Sequence, residues 1–221
     1  MDINVNNIDI YYEKSGKGRP LIMLHGNGES GKIFKKAASV LENDFTVYLP
    51  DSRDHGKSQV TNDLSYDNMA KDIFEFIKKL EIKEPVICGF SDGAITALLL
   101  AINHPEIPKA VIACGANSSP KGLKENIRFF MKLNYFFTRS TKTKMMLTQP
   151  NISREMLKKI TCPALITCGS NDMIKESDSR FIANSIKRSE FRVLKGENHG
   201  SYIVNSKKIA AIINDFCKEK I

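Results

Sequence analysis

The segment from Pro85 to Leu100 constrains the fold of this chain most strongly. An apolar, partly β-branched run of strand length ends at Gly89, and good helix formers follow Ser91. The residues Gly89–Gly93 (GFSDG) match the pattern G-x-S-x-G between a strand and a helix. A strand that turns directly into a helix strains the turn residue, and the two glycines remove side chains that would collide with the neighbouring backbone. The pattern therefore predicts that Ser91 is exposed at the end of a strand, beside a helix N-terminus that favours negative charge.

Strand-like and helical segments alternate along most of the chain. A hairpin signal surrounds Asn6 and Asn7, and apolar strand-like runs lie at 20–24, 45–49, 85–89, 110–114, 163–168 and 191–194. Helical patterns lie at 32–41, 66–80, 177–187 and 206–218. This alternation predicts a mostly parallel sheet covered by helices on both faces, an α/β fold.

The alternation breaks at residues 118–160, which contain no clear strand and read as two or three helices. We therefore predict one core domain, formed by residues 1–117 and 161–221, with a helical cap inserted at 118–160. A chain of 221 residues is long enough for one domain with a full hydrophobic core.

The composition excludes several classes of protein. The chain lacks an apolar run of transmembrane length and a basic-then-apolar signal pattern at its start. Its five cysteines form no C-x-x-C pair, and three lie in or beside strand-like runs, so we expect reduced thiols and a cytoplasmic location. The net charge of +8 comes mostly from scattered lysines. We therefore expect no nucleic-acid partner and no membrane contact.

Three residues that are distant in the sequence predict a catalytic triad. Functional groups gather at the carboxyl ends of the strands in an open parallel sheet. A hydroxyl nucleophile needs a base within hydrogen-bond reach and a carboxylate that orients this base. The chain order Ser91, Asp172, His199 is the order Ser–Asp–His expected for this arrangement. We predict Ser91 as the nucleophile, His199 as the general base and Asp172 as the orienting acid.

Other histidines and one other aspartate compete for these roles. His25 adjoins an apolar strand and is expected to be buried and structural, and His55 lies in a polar turn. His104 ends the helix that starts at Ser91, far from the helix end that would face the substrate. Asp178 is a reserve candidate for the acid, near the start of a predicted surface helix.

The loop after the strand at 20–24 predicts an oxyanion hole. A negative tetrahedral oxygen needs preorganised N–H donors. We expect one from the backbone of Asp92, which follows the nucleophile, and one from the backbone of Asn27. Gly26 and Gly28 flank Asn27 and allow its backbone to approach a substrate closely.

At these positions the chain resembles the α/β-hydrolase fold superfamily over essentially its whole length. The matching segments are residues 25–28, 51–58, 89–93, 169–172 and 199–200. The resemblance implies an eight-stranded, mostly parallel sheet with a helical cap between strands six and seven, where 118–160 lies. The turn at 51–58 departs from the pattern, since relatives usually have glycine where Asp54 stands, but this turn is structural in the family.

Residues 89–97 are also similar to the elbow of the valacyclovir hydrolase-like esterases. The superfamily includes dehalogenases as well. These use an aspartate nucleophile, and Ser91 argues against that chemistry.

The predicted cap combines basic and aromatic residues. Residues 120–145 contain seven lysines and arginines, a single acid (Glu125), and five interleaved aromatic residues that include Phe129, Phe130 and Phe136. One interpretation is a lid whose phenylalanines line an acyl pocket and whose cations attract anionic substrates or lipid. The other is an amphipathic helix with a solvated basic face and an apolar face packed on the domain.

Asp92 has two interpretations as well. Its carboxylate beside the nucleophile could select an amine-bearing substrate, or it could form local hydrogen bonds or face the cap.

Together these features predict a serine hydrolase that cleaves a small-molecule carboxylic ester through an acyl-enzyme, as a monomer or homodimer. No metal or organic cofactor is expected, because the sequence contains no metal-ligand cluster and no dinucleotide loop. The same triad could serve a thioesterase, a C–C bond hydrolase or a cofactor-free perhydrolase. A ligand-binding protein on a hydrolase scaffold is the alternative from another class.

Overall fold

The computed structural model describes residues 1–221 as one eight-stranded sheet with flanking helices. The strands are β1 Asp2–Val5, β2 Ile8–Gly16, β3 Arg19–Leu24, β4 Phe45–Pro50, β5 Val86–Phe90, β6 Ala110–Cys114, β7 Ala164–Asn171 and β8 Ser189–Asn198. The α-helices are α1 Lys35–Leu41, α2 Tyr66–Lys79, α3 Asp92–Asn103, α4 Glu125–Thr138, α5 Thr141–Thr148, α6 Arg154–Leu157, α7 Glu176–Ser185 and α8 Lys208–Lys220. Short 3-10 turns precede α1 and α4.

The sheet has the strand order β1-β2-β4-β3-β5-β6-β7-β8. The first two pairings, β1 with β2 and β2 with β4, are antiparallel, and every later pairing is parallel. The expected α/β fold with an eight-stranded, mostly parallel sheet is therefore confirmed. Because β3, β5, β6, β7 and β8 run in parallel, their carboxyl ends lie along one edge of the sheet.

Local chemistry explains where several elements begin and end. Asn6 and Asn7 adopt positive φ angles of 48° and 63° between β1 and β2, as a two-residue hairpin turn requires. Helix α2 begins after Ser65, whose side chain accepts a hydrogen bond from the N–H of Asn68, a standard N-cap. Its apolar residues Met69, Ile73, Phe76 and Ile77 recur at helical spacing and are buried, as the sequence predicts.

Two hydrophobic clusters cover the two faces of the sheet. The larger cluster has 36 buried residues and includes apolar residues of α2, α3 and α7. The smaller cluster has 24 buried residues and includes those of α1 and α8. Helix α3, which follows the elbow, is buried from Asp92 through Ile102. This burial fixes the helix on the sheet and holds its N-terminus at the carboxyl end of β5.

The segment 118–160 contains the helices α4, α5 and α6, which agrees with the predicted two or three helices. Its later part joins the core through Met145, Ile152, Leu157 and Ile160, whereas α4 has no buried residue. The division into a core domain and a cap stays a prediction. None of the helices combines the length and the apolar character that a membrane span needs.

Candidate active site

Ser91 occupies the strained turn that the sequence predicts. It lies between β5 and α3 with φ 53° and ψ −115°, a backbone conformation that L-residues rarely adopt. A Cβ atom at Gly89 would lie 2.1 Å from the carbonyl oxygen of Gly93, and one at Gly93 would lie 2.1 Å from the carbonyl oxygen of Leu24. Both glycines are therefore required by close backbone contacts, and the turn presents the Ser91 hydroxyl at the edge of the sheet.

The structure brings Ser91, His199 and Asp172 together in one hydrogen-bonded chain. The Nε2 atom of His199 lies 3.0 Å from Oγ of Ser91, and its Nδ1 atom lies 2.6 Å from Oδ1 of Asp172. The residues come from the ends of β5, β7 and β8. In this arrangement Asp172 can hold the imidazole tautomer with the proton on Nδ1, which leaves Nε2 free to accept the serine proton.

The surroundings of Asp172 favour its ionised form. Burial alone would raise the pKa of this carboxyl, but the hydrogen bond and charge of His199 and the N–H groups of Ile174 and Gly169 together lower the pKa below its ordinary value. Both carboxylate oxygens are used, because Oδ1 accepts from Ile174 N–H and Oδ2 from Gly169 N–H. The carboxylate is thus fixed in position and charged where it faces His199.

Two neighbours leave His199 little freedom. Its ring centroid lies 4.9 Å from that of Phe90. A Cβ atom at Gly115, which has φ +65°, would lie 2.8 Å from Cε1 of His199. Because Gly115 has no side chain, the imidazole of His199, the proposed base, fits against the backbone after β6.

The competing residues lie elsewhere and have other partners. His25 is buried and bonds to backbone groups of Gly26 and Ser52, and the ring of His104 stacks on Phe74. The carboxylate of Asp178 accepts two hydrogen bonds from Ser118, one from the N–H and one from the hydroxyl, each 2.7 Å long. Asp178 therefore anchors the start of the segment 118–160 and does not contact His199.

The predicted oxyanion donors lie beside the elbow. The N–H of Asp92 is the first of α3, so no intrahelical carbonyl accepts it. The N–H of Asn27 donates to no other group of the protein. The neighbouring N–H of Gly26, in contrast, donates to Oε2 of Glu29 at 3.0 Å. Both expected N–H groups, one from this loop and one from the start of α3, are therefore available to an oxyanion.

The side chain of Asp92 joins three elements in a way that the sequence analysis missed. Its Oδ2 accepts from Nδ2 of Asn27, and its Oδ1 accepts from the hydroxyl of Tyr66, at 2.8 Å each. Burial raises the pKa of this carboxyl, and the two donors oppose that shift. Asp92 is 2% exposed. Both carboxylate oxygens therefore bond to residues that are distant in the sequence, not to local groups, and neither oxygen is free to face a substrate amine in this structure.

Glu29 is a second acid of the site that the sequence analysis missed. Its side chain is half-buried, and burial raises its pKa, while the Gly26 N–H and the charge of His199 act in the opposite direction. The signal in the sequence was an acidic residue directly after Gly28, two positions beyond Asn27. Because Glu29 bonds to Gly26, it holds the loop that carries the Asn27 N–H.

The phenylalanines predicted to line an acyl pocket do not do so in this structure. Phe129, Phe130 and Phe136 are each 63% exposed. The alternative interpretation fails for them too, because α4 turns only Ile127, Met131 and Tyr135 of its apolar residues inward, and these are half-buried. Helical periodicity identifies an apolar face but not the element that covers it.

Comparisons with known proteins identify the family and agree with the fold. A family model described as alpha/beta hydrolase fold matches residues 19–144, more than half of the chain. The serine hydrolase BPHL of Homo sapiens is 26% identical over 249 residues, which cover 97% of this chain and 84% of the relative.

Solved structures share the fold at low sequence identity. An esterase from Exiguobacterium antarcticum has a TM-score of 0.84 at 21% identity, with 97% of each chain covered. The enol-lactonase from Burkholderia xenovorans LB400 has a TM-score of 0.82 at 17% identity, with 99% of this chain and 100% of that chain covered.

Proposed function

Because this chain belongs to the alpha/beta hydrolase family, we propose that it is a serine hydrolase that cleaves a carboxylic ester of a small molecule. The observation that carries this proposal is the continuous hydrogen-bonded chain from Asp172 through His199 to a serine at a strained strand–helix turn. The similarity to proteins named as a serine hydrolase, an esterase and an enol-lactonase supports the same reaction class, since a lactone is a cyclic ester.

The proposed reaction begins with proton transfer from Ser91 Oγ to His199 Nε2 as the oxygen attacks the carbonyl carbon. The carbonyl oxygen becomes negative and accepts hydrogen bonds from the N–H groups of Asn27 and Asp92. Removing one such donor costs about 3 kcal/mol of transition-state stabilisation in measured cases. The imidazolium, held by Asp172, then donates its proton to the departing alcohol, and an acyl-enzyme remains on Ser91.

The second half repeats these roles with water. His199 Nε2 takes a proton from a water molecule, the hydroxide oxygen attacks the acyl carbon, and the proton returns to Ser91 Oγ as the acid is released. Every proton moves through Nε2 of His199, so the Nδ1–H stays on the ring and keeps its hydrogen bond to Asp172 throughout. Ionised Asp172 stabilises the imidazolium that forms in both halves.

Active-site labelling tests this proposal. A fluorophosphonate should label the native protein once, at Ser91, and p-nitrophenyl acetate should give a burst equal to the enzyme concentration. Ser91→Ala should lose both, with kcat lower by about four orders of magnitude or more. The exposed Ser39 hydroxyl offers a matched control, and Ser39→Ala should label normally. If native protein and Ser91→Ala turned over esters equally, the protein would be a binding module instead.

A further inference from the structure

Helix α4 presents an unpartnered apolar face to solvent. Phe129, Phe130, Leu133, Phe136 and Phe137 are 63%, 63%, 45%, 63% and 74% exposed. Their spacing of i, i+1, i+4, i+7 and i+8 places them on one face of the helix, opposite the half-buried Ile127, Met131 and Tyr135. This face exposes on the order of 600 Å² of apolar surface, at the upper limit of patches on ordinary soluble monomers.

Basic residues are frequent in α4 and in the segments directly before and after it. Residues 120–145 contain seven basic residues, Lys121, Lys124, Arg128, Lys132, Arg139, Lys142 and Lys144, and the single acid Glu125. None of these seven forms a salt bridge, and Glu125 instead pairs with Lys175 at 3.7 Å. Lys142 is half-buried and its charge acts on Asp92, whereas the other six form no ion pair within the protein.

Three of these cations share one groove beside α4. Lys121, Arg128 and Lys132 line an open groove of about 600 Å³, together with the polar side chains of Ser119, Thr148 and Asn151. Cationic and hydroxyl donors of this kind suit a phosphate group. The groove and the phenylalanine face belong to the same helix, so an anionic group and an apolar phase could be contacted at once.

We propose that α4 docks on a bilayer surface rich in anionic phospholipid. The exposed phenylalanines enter the boundary between headgroups and acyl chains, and the groove takes a lipid phosphate. Aromatic residues on one face and lysine and arginine around it are typical of interfacial helices. This proposal reverses the sequence-based expectation of no membrane contact, and it does not depend on the proposed hydrolase activity.

A second copy of the chain fits this face less well. Two copies joined through α4 would bring the basic residues of both helices together, Arg128 and Lys132 of each copy among them. The apolar face is also smaller than the roughly 800 Å² that each partner contributes to a stable protein interface. Charge and area therefore both favour an anionic surface over self-association.

A single tryptophan can report the docking, because the chain contains none. Phe137→Trp places the reporter on the apolar face, and Val60→Trp places it at another exposed apolar site, 79% exposed. The vesicles contain phosphatidylcholine and about 30 mol% phosphatidylglycerol, whose negative charge attracts basic residues. With these vesicles, only the tryptophan emission of Phe137→Trp should shift to the blue and be quenched by brominated acyl chains. Pure phosphatidylcholine should give no shift. Equal responses at both positions, or none, would overturn the proposal.

Co-sedimentation with the same vesicles separates the two contributions. Phe130→Ser combined with Phe137→Ser should weaken partitioning at least about tenfold, and Arg128→Ala combined with Lys132→Ala should weaken it roughly 30-fold at low salt. Val60→Ser and Lys71→Ala combined with Lys83→Ala are the matched controls, and thermal melts check that each variant is folded. Binding that survives the serine substitutions, or a dimer that these substitutions dissolve, would contradict the proposal.

Discussion

At the scale of single residues, Asp92 connects the two proposed oxyanion donors. Its own N–H is one donor, and its carboxylate holds the side chain of Asn27, whose N–H is the other. Tyr66 fixes the second carboxylate oxygen from α2. A buried carboxylate with two donors is rigid, so the distance between the two N–H groups is set before a substrate arrives. We interpret Asp92 as a positioning residue as well as a donor.

A reciprocal exchange tests this role. Asn27→Asp alone would put two carboxylates within 2.8 Å of each other, and kcat should fall about 100-fold. Asn27→Asp combined with Asp92→Asn restores an amide–carboxylate pair, and the new amide oxygen can still accept from Tyr66. Esterase assays should therefore show that the double variant recovers most of kcat with little change in KM. A double variant as slow as Asn27→Asp would show that the contact does not position the loop.

At the scale of elements, the elbow depends on backbone contacts between β3, β5 and α3. A Cβ atom at Gly93 would lie 2.1 Å from the carbonyl oxygen of Leu24 and 2.7 Å from that of His25. These carbonyls cannot move without moving the end of β3, which leads into the oxyanion loop. The two glycines of the elbow therefore couple the position of the nucleophile to that of the donors.

Gly93→Ala should accordingly lower the free energy of unfolding by about 3 kcal/mol or more and reduce kcat as well. Gly196→Ala is the matched control, because Gly196 has φ +79° but nothing within 4 Å of its Cβ position. Gly196→Ala should lower the free energy of unfolding by only about 1–2 kcal/mol and leave kcat unchanged. Urea unfolding and esterase assays measure both quantities. If Gly93→Ala and Gly196→Ala lowered the free energy of unfolding equally, close packing at the elbow would be contradicted.

The elements also show what the sequence could predict. The strand–turn–helix unit at Ser91 is encoded locally, because the glycines and the strained serine are only a few residues apart. The alternation of strands and helices likewise reveals the parallel sheet and the shared edge to which Asp172 and His199 belong. The bridge from Asp92 to Tyr66 and Asn27 could not be predicted, since it depends on side-chain rotamers of residues 26 and 65 positions away. The exposure of α4 could not be predicted for a related reason, because helical periodicity identifies an apolar face but not the element that packs against it.

At the scale of the whole molecule, two buried histidines join the loops at the edge of the sheet. The Nδ1 atom of His25 lies 2.8 Å from the carbonyl oxygen of Gly26, and its Nε2 accepts the N–H of Ser52 at 2.9 Å. This pattern requires a neutral ring, because a protonated Nε2 could not accept. His55 lies nearby, with its ring centroid 5.3 Å from that of His25, and its buried Nε2 has no partner.

These histidines predict that the folded protein is sensitive to mild acid. Burial lowers the pKa of His25 from 6.5 to about 4, and burial also lowers the pKa of His55. Between these two pKa values of His25, the unfolded chain binds a proton that the folded protein does not, so stability falls as the pH falls from 6.5 towards 4. For His25 alone the loss should reach about 2 kcal/mol by pH 5 and about 3 kcal/mol below pH 4.

Urea unfolding at pH 7.5 and pH 5 measures this contribution as a difference of differences. His25→Gln removes the titrating ring, so its loss of stability between the two pH values should be smaller than that of the native protein by about 2 kcal/mol. Thr167→Val changes another fully buried polar position but removes no titrating group. This variant should therefore lose as much stability between pH 7.5 and pH 5 as the native protein does. An unchanged loss in His25→Gln would mean that the pKa of His25 is the same in the folded and the unfolded protein. Because both variants are compared with themselves, a general loss of stability in either one cancels, and the remaining difference reports the neutral histidine that joins the ends of β3 and β4.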